Sequence, residues 1–348
     1  MITLSILLFI TIILILLLFI KKNEYVFPKL FLLIIYICLF IAVGLRGSGI
    51  DHDYINYLNS IYDNFTIFEP TYLLISSVIR QYGLPATILF LIYSFLGVGT
   101  KFYAIYKYSI CPIISLLVYF SNFLLLHDFN QIRAGVASGL LLLAIPLLVQ
   151  KRHIKYLIMS LIAISFHYAS CIFLLLFFIT NNHINKQNRI LWGIIPASLL
   201  VFHTFNYVNI LSILPIKSIQ LKIEMYQSLQ ESGIEGFAEV HLFNLYFLFK
   251  YAIYIFFLIK YDFYVKKNEY FSILLKIYGF SLACFYFFSS LLPIVGYRIS
   301  ELLGIVEILL FPTLFVVWKE NIVKKFSVVI YVFLLVGINI FYKKMIFL

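Results

Sequence analysis

Charge is scarce in this chain. Only 12% of its 348 residues are Asp, Glu, Lys or Arg, while 63% are hydrophobic. Soluble domains carry about 25% charged residues, so a water-exposed globular surface is excluded and the chain reads as a polytopic membrane protein. Cysteine is scarcer still. Cys38, Cys111, Cys171 and Cys284 lie in or beside apolar runs without paired spacing, which excludes a disulfide framework or a cysteine-based metal site. There is no HExxH, Walker A loop or dinucleotide fingerprint, so neither a metal ion nor any other cofactor is expected. Net charge is +11. The lysines and arginines collect in short loops, as the positive-inside bias requires, and no Arg-rich face points to nucleic acid.

A span needs about 20 apolar residues. Such runs cover Ile2–Ile20, 28–45, 84–99, 110–126, Ile132–Val149, 154–180, 190–205, 242–259, 271–292, 299–318 and 326–341. The expected fold is all-α, a single integral membrane domain over 1–348 with about 10–12 membrane segments. The stretch 69–82 is too short and polar to cross, and reads as a peripheral or re-entrant helix. Lys21, Lys22 and Lys29 put the first loop in the cytoplasm. That places 46–69 outside, Lys101 and Lys107 inside, 127–133 outside and 151–155 inside. For Lys186 and Arg189 also to be inside, 154–180 must enter and leave by one face, as two half-helices turning near 166–170; otherwise the bias fails once. Outer-face loops are then expected over about 46–83 and 206–240.

On this topology four polar clusters meet the outer face: Arg46, Asp51, Asp53 and Glu69; the run from His127 to Arg133 with Asp128, Asn130 and Gln131; His167; and Tyr297-Arg298 with Glu301. Three guanidiniums, Arg46, Arg133 and Arg298, suit a polyanion such as a pyrophosphate, which they can bind in bidentate fashion without a metal. Arg133 also opens a helix, whose first amides favour an anion. The plainer reading is that each arginine snorkels or pairs locally, as Arg298 does with Glu301 at i,i+3. His167, alone in an apolar run, suits a general base near neutral pH; the plainer reading is a histidine bonded across helices. Asp51 or Asp53 is a second candidate for a base or for orienting a sugar hydroxyl. His127, at a span end, is more ordinary.

The series RGSGID at 46–51, EPTY at 69–72, NQIRAGVA at 130–137, SFHYAS at 165–170 and YRISELL at 297–303 resembles the EpsG-type family of Wzy polysaccharide polymerases, from about Gly44 to about Pro312. It departs from the family at Ala134-Gly135, where an additional polar residue is frequent. The resemblance implies a GT-C-like bundle in the bacterial plasma membrane with its active site facing the exterior. It implies transfer of a growing glycan from undecaprenyl pyrophosphate to a new lipid-linked repeat unit, by inverting, metal-independent chemistry. Arg46, Gln131, Arg133, His167 and Arg298 match the family's polar positions, and Asp51 and Glu69 its acidic ones. The implied partners are the undecaprenyl-pyrophosphate-linked oligosaccharide, the lipid bilayer and a chain-length regulator protein. Rival readings are an O-antigen ligase, which calls for a larger outer loop, and a GT-C transferase using a polyprenyl-phosphate sugar. A glycolipid flippase or transporter calls for polar residues spread through the depth of several helices.

Overall fold

The computed structural model describes residues 2–20, 28–51, 53–62, 68–202, 245–289, 293–316 and 322–342, together with Ser228. Lys21, Lys22 and, apart from Ser228, the outer loop expected over 206–240 lie outside the described residues. Among those described, every regular element is helical and no strand occurs. The chain is a polytopic helical bundle.

In chain order the helices are α1 (Ile2–Ile20), α2 (Lys29–Gly44), α3 (Tyr54–Tyr62), α4 (Pro70–Gln81), α5 (Thr87–Tyr108), α6 (Pro112–Val118), α7 (Ile132–Val149) and α8 (His153–Phe166). There follow α9 (Lys186–Phe202), α10 (Leu245–Ile259), α11 (Phe271–Ser289), α12 (Pro293–Gly304), α13 (Glu307–Val316) and α14 (Ile322–Gly337). Five helical stretches among the described residues are long and apolar enough to cross a membrane: Thr87–Tyr108, Pro112–Asn130, Ile132–Val149, Phe271–Ser289 and Ile322–Ile340. Shorter apolar helices accompany them, including α2, α8 and α10. The chain divides into two compact units, one of Met1–Phe177 with Ile305–Leu348, the other of Phe178–Gly304.

In the first unit α5 and α7 pack closely because glycine lines their contact. A Cβ on Gly97 would stand 3.6 Å from the Gly135–Val136 backbone of α7, and one on Gly139 would overlap the Thr100 hydroxyl of α5. Small residues are how membrane helices bring their backbones together. The amphipathic α3 and α4 cover one end of this pair, with Tyr57, Ile61, Tyr72 and Ile79 packed on Phe90, Tyr93, Ile132 and Val136. At 1.5 Å per residue α4 is about 18 Å long, short of a bilayer core of about 30 Å. The sequence reading of 69–82 as a non-spanning helix agrees with this length. In the second unit α11 packs on α9, α10 and α12.

Three expectations need correction. The helix expected over 84–99 runs on to Tyr108, so Lys101 is not a loop cation but a fully buried side chain in mid-helix. The outer segment expected over 127–133 is not a loop, since only Gln131 in it leaves helical winding. Instead, α6 continues as a π-helical stretch, Tyr119–Asn130, buried along its whole length, and His127 is an interior residue. The widened winding persists to the end, where the Gln131 amide donates to Leu126 O at 2.9 Å. The span expected over 299–318 is interrupted, α12 ending at Gly304 and α13 starting at Glu307.

The expected break near 166–170 is present. Helix α8 ends at Phe166, His167 is extended (φ −154°, ψ 114°), and a 3-10 turn covers Tyr168–Ile172. The chain then doubles back. The Tyr156 hydroxyl donates to Phe173 O at 2.6 Å, and the Phe177 ring lies 5.1 Å from that of His153 at the start of α8. Residues 153–177 therefore form a hairpin whose two ends share one level. Single cysteines placed at His153 and Phe177 in a chain lacking its native cysteines should label with an impermeant maleimide from the same side of the membrane. Labelling from opposite sides would mean a straight span.

Candidate functional site

The site begins with a proline. Pro70 at the first position of α4 forces the preceding Glu69 into an extended conformation (φ −66°, ψ 152°) and brings no N–H of its own. The Glu69 side chain makes no capping bond to its own helix. It turns inward, where it is 1% exposed. Two further breaks face it. Gln131 (φ −95°, ψ 60°) separates the π-helical stretch from α7, so Arg133 emerges in the first turn of α7. His167 ends α8. Helix α4 is docked on that end by the Thr71 hydroxyl, which donates to Ser165 O at 2.7 Å.

Glu69 joins all three. Its Oε2 accepts from Arg133 Nη1 in an ion pair, and its Oε1 lies 3.3 Å from His167 Nδ1 and 3.3 Å from the Tyr168 amide that donates to it. The Arg133 guanidinium lies over Phe68 at 4.9 Å, Tyr57 at 5.7 Å and Tyr72 at 5.8 Å, an aromatic cage that favours a cation. The cage is itself fixed, since the Tyr72 hydroxyl donates to Tyr57 O at 3.1 Å. Arg133 keeps 20% of its side chain exposed and His167 13%. Of the five N–H donors of Arg133, Nε is buried and finds no hydrogen-bond partner among the described residues. Burial on its own would raise the Glu69 carboxyl. The hydrogen bond from His167 and the charge of Arg133 outweigh it and hold the group at about 2. Burial pushes the Tyr57 phenol up to about 12, so it stays protonated at neutral pH.

Arg46 and Asp51 form a second pair, sealed from solvent. Arg46 donates through Nε to Asp51 Oδ2 (2.6 Å), through Nη1 to Val43 O (3.0 Å) and through Nη2 to Phe129 O (2.7 Å), with the Phe90 ring 4.5 Å away. The other Asp51 oxygen accepts the Asp53 amide at 3.1 Å. This arginine ties the chain after α2 to the end of the π-helical stretch.

Within the first unit the sequence-predicted residues fall into separate places. Glu69, Arg133 and His167 meet directly. Gln131 forms the hinge from which Arg133 projects, its carbonyl accepting the Gly135 amide at 2.8 Å. Arg46, Asp51 and Asp53 form the neighbouring tie. His127 is fully buried, with Nδ1 3.1 Å from the Ser138 hydroxyl. Tyr297 and Arg298 lie on α12 of the second unit, Tyr297 against Phe285 at 5.3 Å, and Glu301 is buried on the same helix. The sequence points to Asp128 within its second polar cluster but not to the aromatic cage or to the pairing of Asp128 with Lys101. The signal for Lys101 was available, because the apolar run continues past it through FYAIY. Among the described residues no three His, Cys, Asp or Glu side chains gather as a metal-ligand set.

The fold and this site define a class: a multi-pass helical membrane protein with charged side chains gathered where its helices break. The comparisons narrow it. The EpsG family model matches residues 29–347, nearly the whole chain, and the chain belongs to the EpsG family, the Wzy-like polymerase type. It is a polysaccharide-polymerase-like membrane protein. No curated protein and no solved structure matches it.

A carboxyl held at about 2, below its ordinary 4.5, stabilises the fold fully above the ordinary value and loses that contribution as pH falls towards 2. The difference corresponds to about 3 kcal/mol. The thermal midpoint of the purified protein should therefore fall between pH 4.5 and 2, and Glu69→Gln should remove much of that fall while lowering the midpoint at neutral pH. Equal acid limbs in the two proteins would contradict the pairing.

Proposed function

We propose that this protein polymerises lipid-linked polysaccharide repeat units, transferring the growing glycan from undecaprenyl pyrophosphate to a new lipid-linked unit at the outer face of the bacterial plasma membrane. The observation that carries the reading is the Arg133–Glu69–His167 cluster, in a chain of this family, at the meeting of a helix start and a helix end. Breaking a sugar–pyrophosphate bond leaves negative charge on the departing phosphate, which a fixed cation with donors to spare stabilises in a site of low dielectric. Arg133 has that character, and its family-matched position opens a helix. In the resting protein the Glu69 carboxylate stands where an anionic oxygen of the substrate would be received, and a phosphate arriving at Arg133 displaces it towards His167.

His167 and Glu69 then form the proton-accepting pair. The acceptor hydroxyl attacks the anomeric carbon, the bond to the pyrophosphate breaks with its electron pair leaving on the phosphate, and the hydroxyl proton passes to His167, steadied by Glu69. Direct displacement inverts the anomeric centre. Both oxygens of Asp51 are engaged by Arg46 and the Asp53 amide, so the reading gives Asp51 and Arg46 a supporting part and keeps the base at His167. The exposed Tyr62, Tyr82 and Tyr168 beside α3, α4 and α8 offer faces on which sugar rings can stack. An O-antigen ligase would use the same donor chemistry and differs in its acceptor.

In a deletion strain, Arg133→Ala and His167→Ala should each fail to restore the ladder of surface glycan while a single repeat unit is still displayed. In vitro we expect each to cost roughly 10²–10³ in rate. Loss of all surface glycan would mean a ligase, flippase or earlier transferase. An unchanged ladder from well-expressed Arg133→Ala would remove the mechanism.

A further inference from the structure

Lys101 and Asp128 form an ion pair in the interior of the first unit, outside the cluster just described. Lys101 is 0% exposed, and its three donors reach Asp128 Oδ1 (2.8 Å), Gly135 O (2.7 Å) and Gly97 O (3.2 Å). The second Asp128 oxygen accepts the Tyr119 hydroxyl at 2.8 Å. Room for the carboxylate is made by glycine on both sides, since a Cβ on Gly97 would come within 2.6 Å and one on Gly135 within 3.2 Å of Asp128 Oδ1. Charges are rare at such depth and are retained where they serve a function.

What the pair holds is informative. Asp128 lies in the last turn of the π-helical stretch and Gly135 in the first turn of α7, on either side of the Gln131 hinge. Arg133 lies between them. One ammonium group therefore clamps both flanks of the break from which Arg133 projects. We infer that Lys101 and Asp128 are positioning residues for Arg133, fixing the start of α7 so that the guanidinium meets the transferring phosphate in register. The inference rests on the reading of Arg133 given under Proposed function. A misplacement of about 1 Å far from the chemistry can cost on the order of 100-fold in rate, and a clamp of this kind should act on turnover more than on substrate affinity.

The test uses the full-length purified protein and lipid-linked repeat unit extracted from the corresponding deletion strain, with kcat expressed per folded molecule. Lys101→Met/Asp128→Asn removes both charges together, leaves no lone charge in the interior, and keeps an acceptor for Tyr119. We expect it to fold, with kcat lowered roughly 10- to 100-fold and KM within about twofold. A parent kcat per folded molecule, or a change confined to KM, overturns the inference. Should the double variant not fold, Tyr119→Phe decides: a several-fold loss of kcat supports the clamp, and parent turnover overturns it. Arg133→Ala is measured alongside. If Arg133→Ala is inactive while the double variant turns over at the parent rate, only the clamp fails; if Arg133→Ala is fully active, the reading of the site fails and the clamp with it.

Discussion

A charge in a membrane protein must find its opposite, and here the pairing of Arg133 with Glu69 is the contact on which the rest of the site depends. It joins a carboxylate from the chain between two short amphipathic helices to a cation at the head of a long buried one. Burying either alone would cost several kcal/mol, and removing one partner of such a pair commonly costs about 3–5 kcal/mol. The pair therefore fixes α3 and α4 onto α5 and α7 more firmly than their apolar faces would alone. It also brings His167 into place, because the carboxylate has a second oxygen to satisfy.

The three side chains that meet in that contact each come from a helix break. Pro70 frees Glu69, the Gln131 hinge presents Arg133, and the end of α8 presents His167. Backbone that leaves regular helix inside a membrane has to be partnered by protein, and Arg46, Lys101 and Ser138 bond to residues at the end of the π-helical stretch. These three side chains thus share a task, which is to hold the end of the π-helical stretch and so the break from which Arg133 projects. The second unit is built differently. There Lys276 donates to the carbonyls of Thr180 and Asn182 at 2.7 and 2.8 Å, and Arg189 grips Asp262 through both of its terminal nitrogens.

Much of this was legible in the sequence. Low charge and long apolar runs specify the helical bundle, the shortness of 69–82 specifies a helix that does not cross, and a lysine-counting argument offers a turn near 166–170 as one of two ways to satisfy the charge bias. Glu69, Arg133 and His167 stand out because each is polar beside apolar neighbours. Sequence alone gave no means of assigning partners. Arg46 and Arg133 look equivalent as span-end arginines, yet one is sealed against Asp51 and three aromatic rings while the other keeps donors and exposure. A lone lysine in an apolar run resembles a loop cation; the apolar residues that follow Lys101 mark it as interior, and the structure supplies its partner, Asp128, twenty-seven residues on. The π-helical winding of 119–130 leaves no mark in composition, so a helix that continues there was mistaken for a loop.

The most direct measurement of the central contact is a double-mutant cycle on thermal stability at neutral pH, with Glu69→Gln, Arg133→Gln and the two combined. Strong coupling is expected, on the order of 2 kcal/mol or more, with the double variant more stable than the sum of the single losses implies. Additive losses with no coupling would show that Glu69 and Arg133 do not hold each other, and would contradict the account at its base.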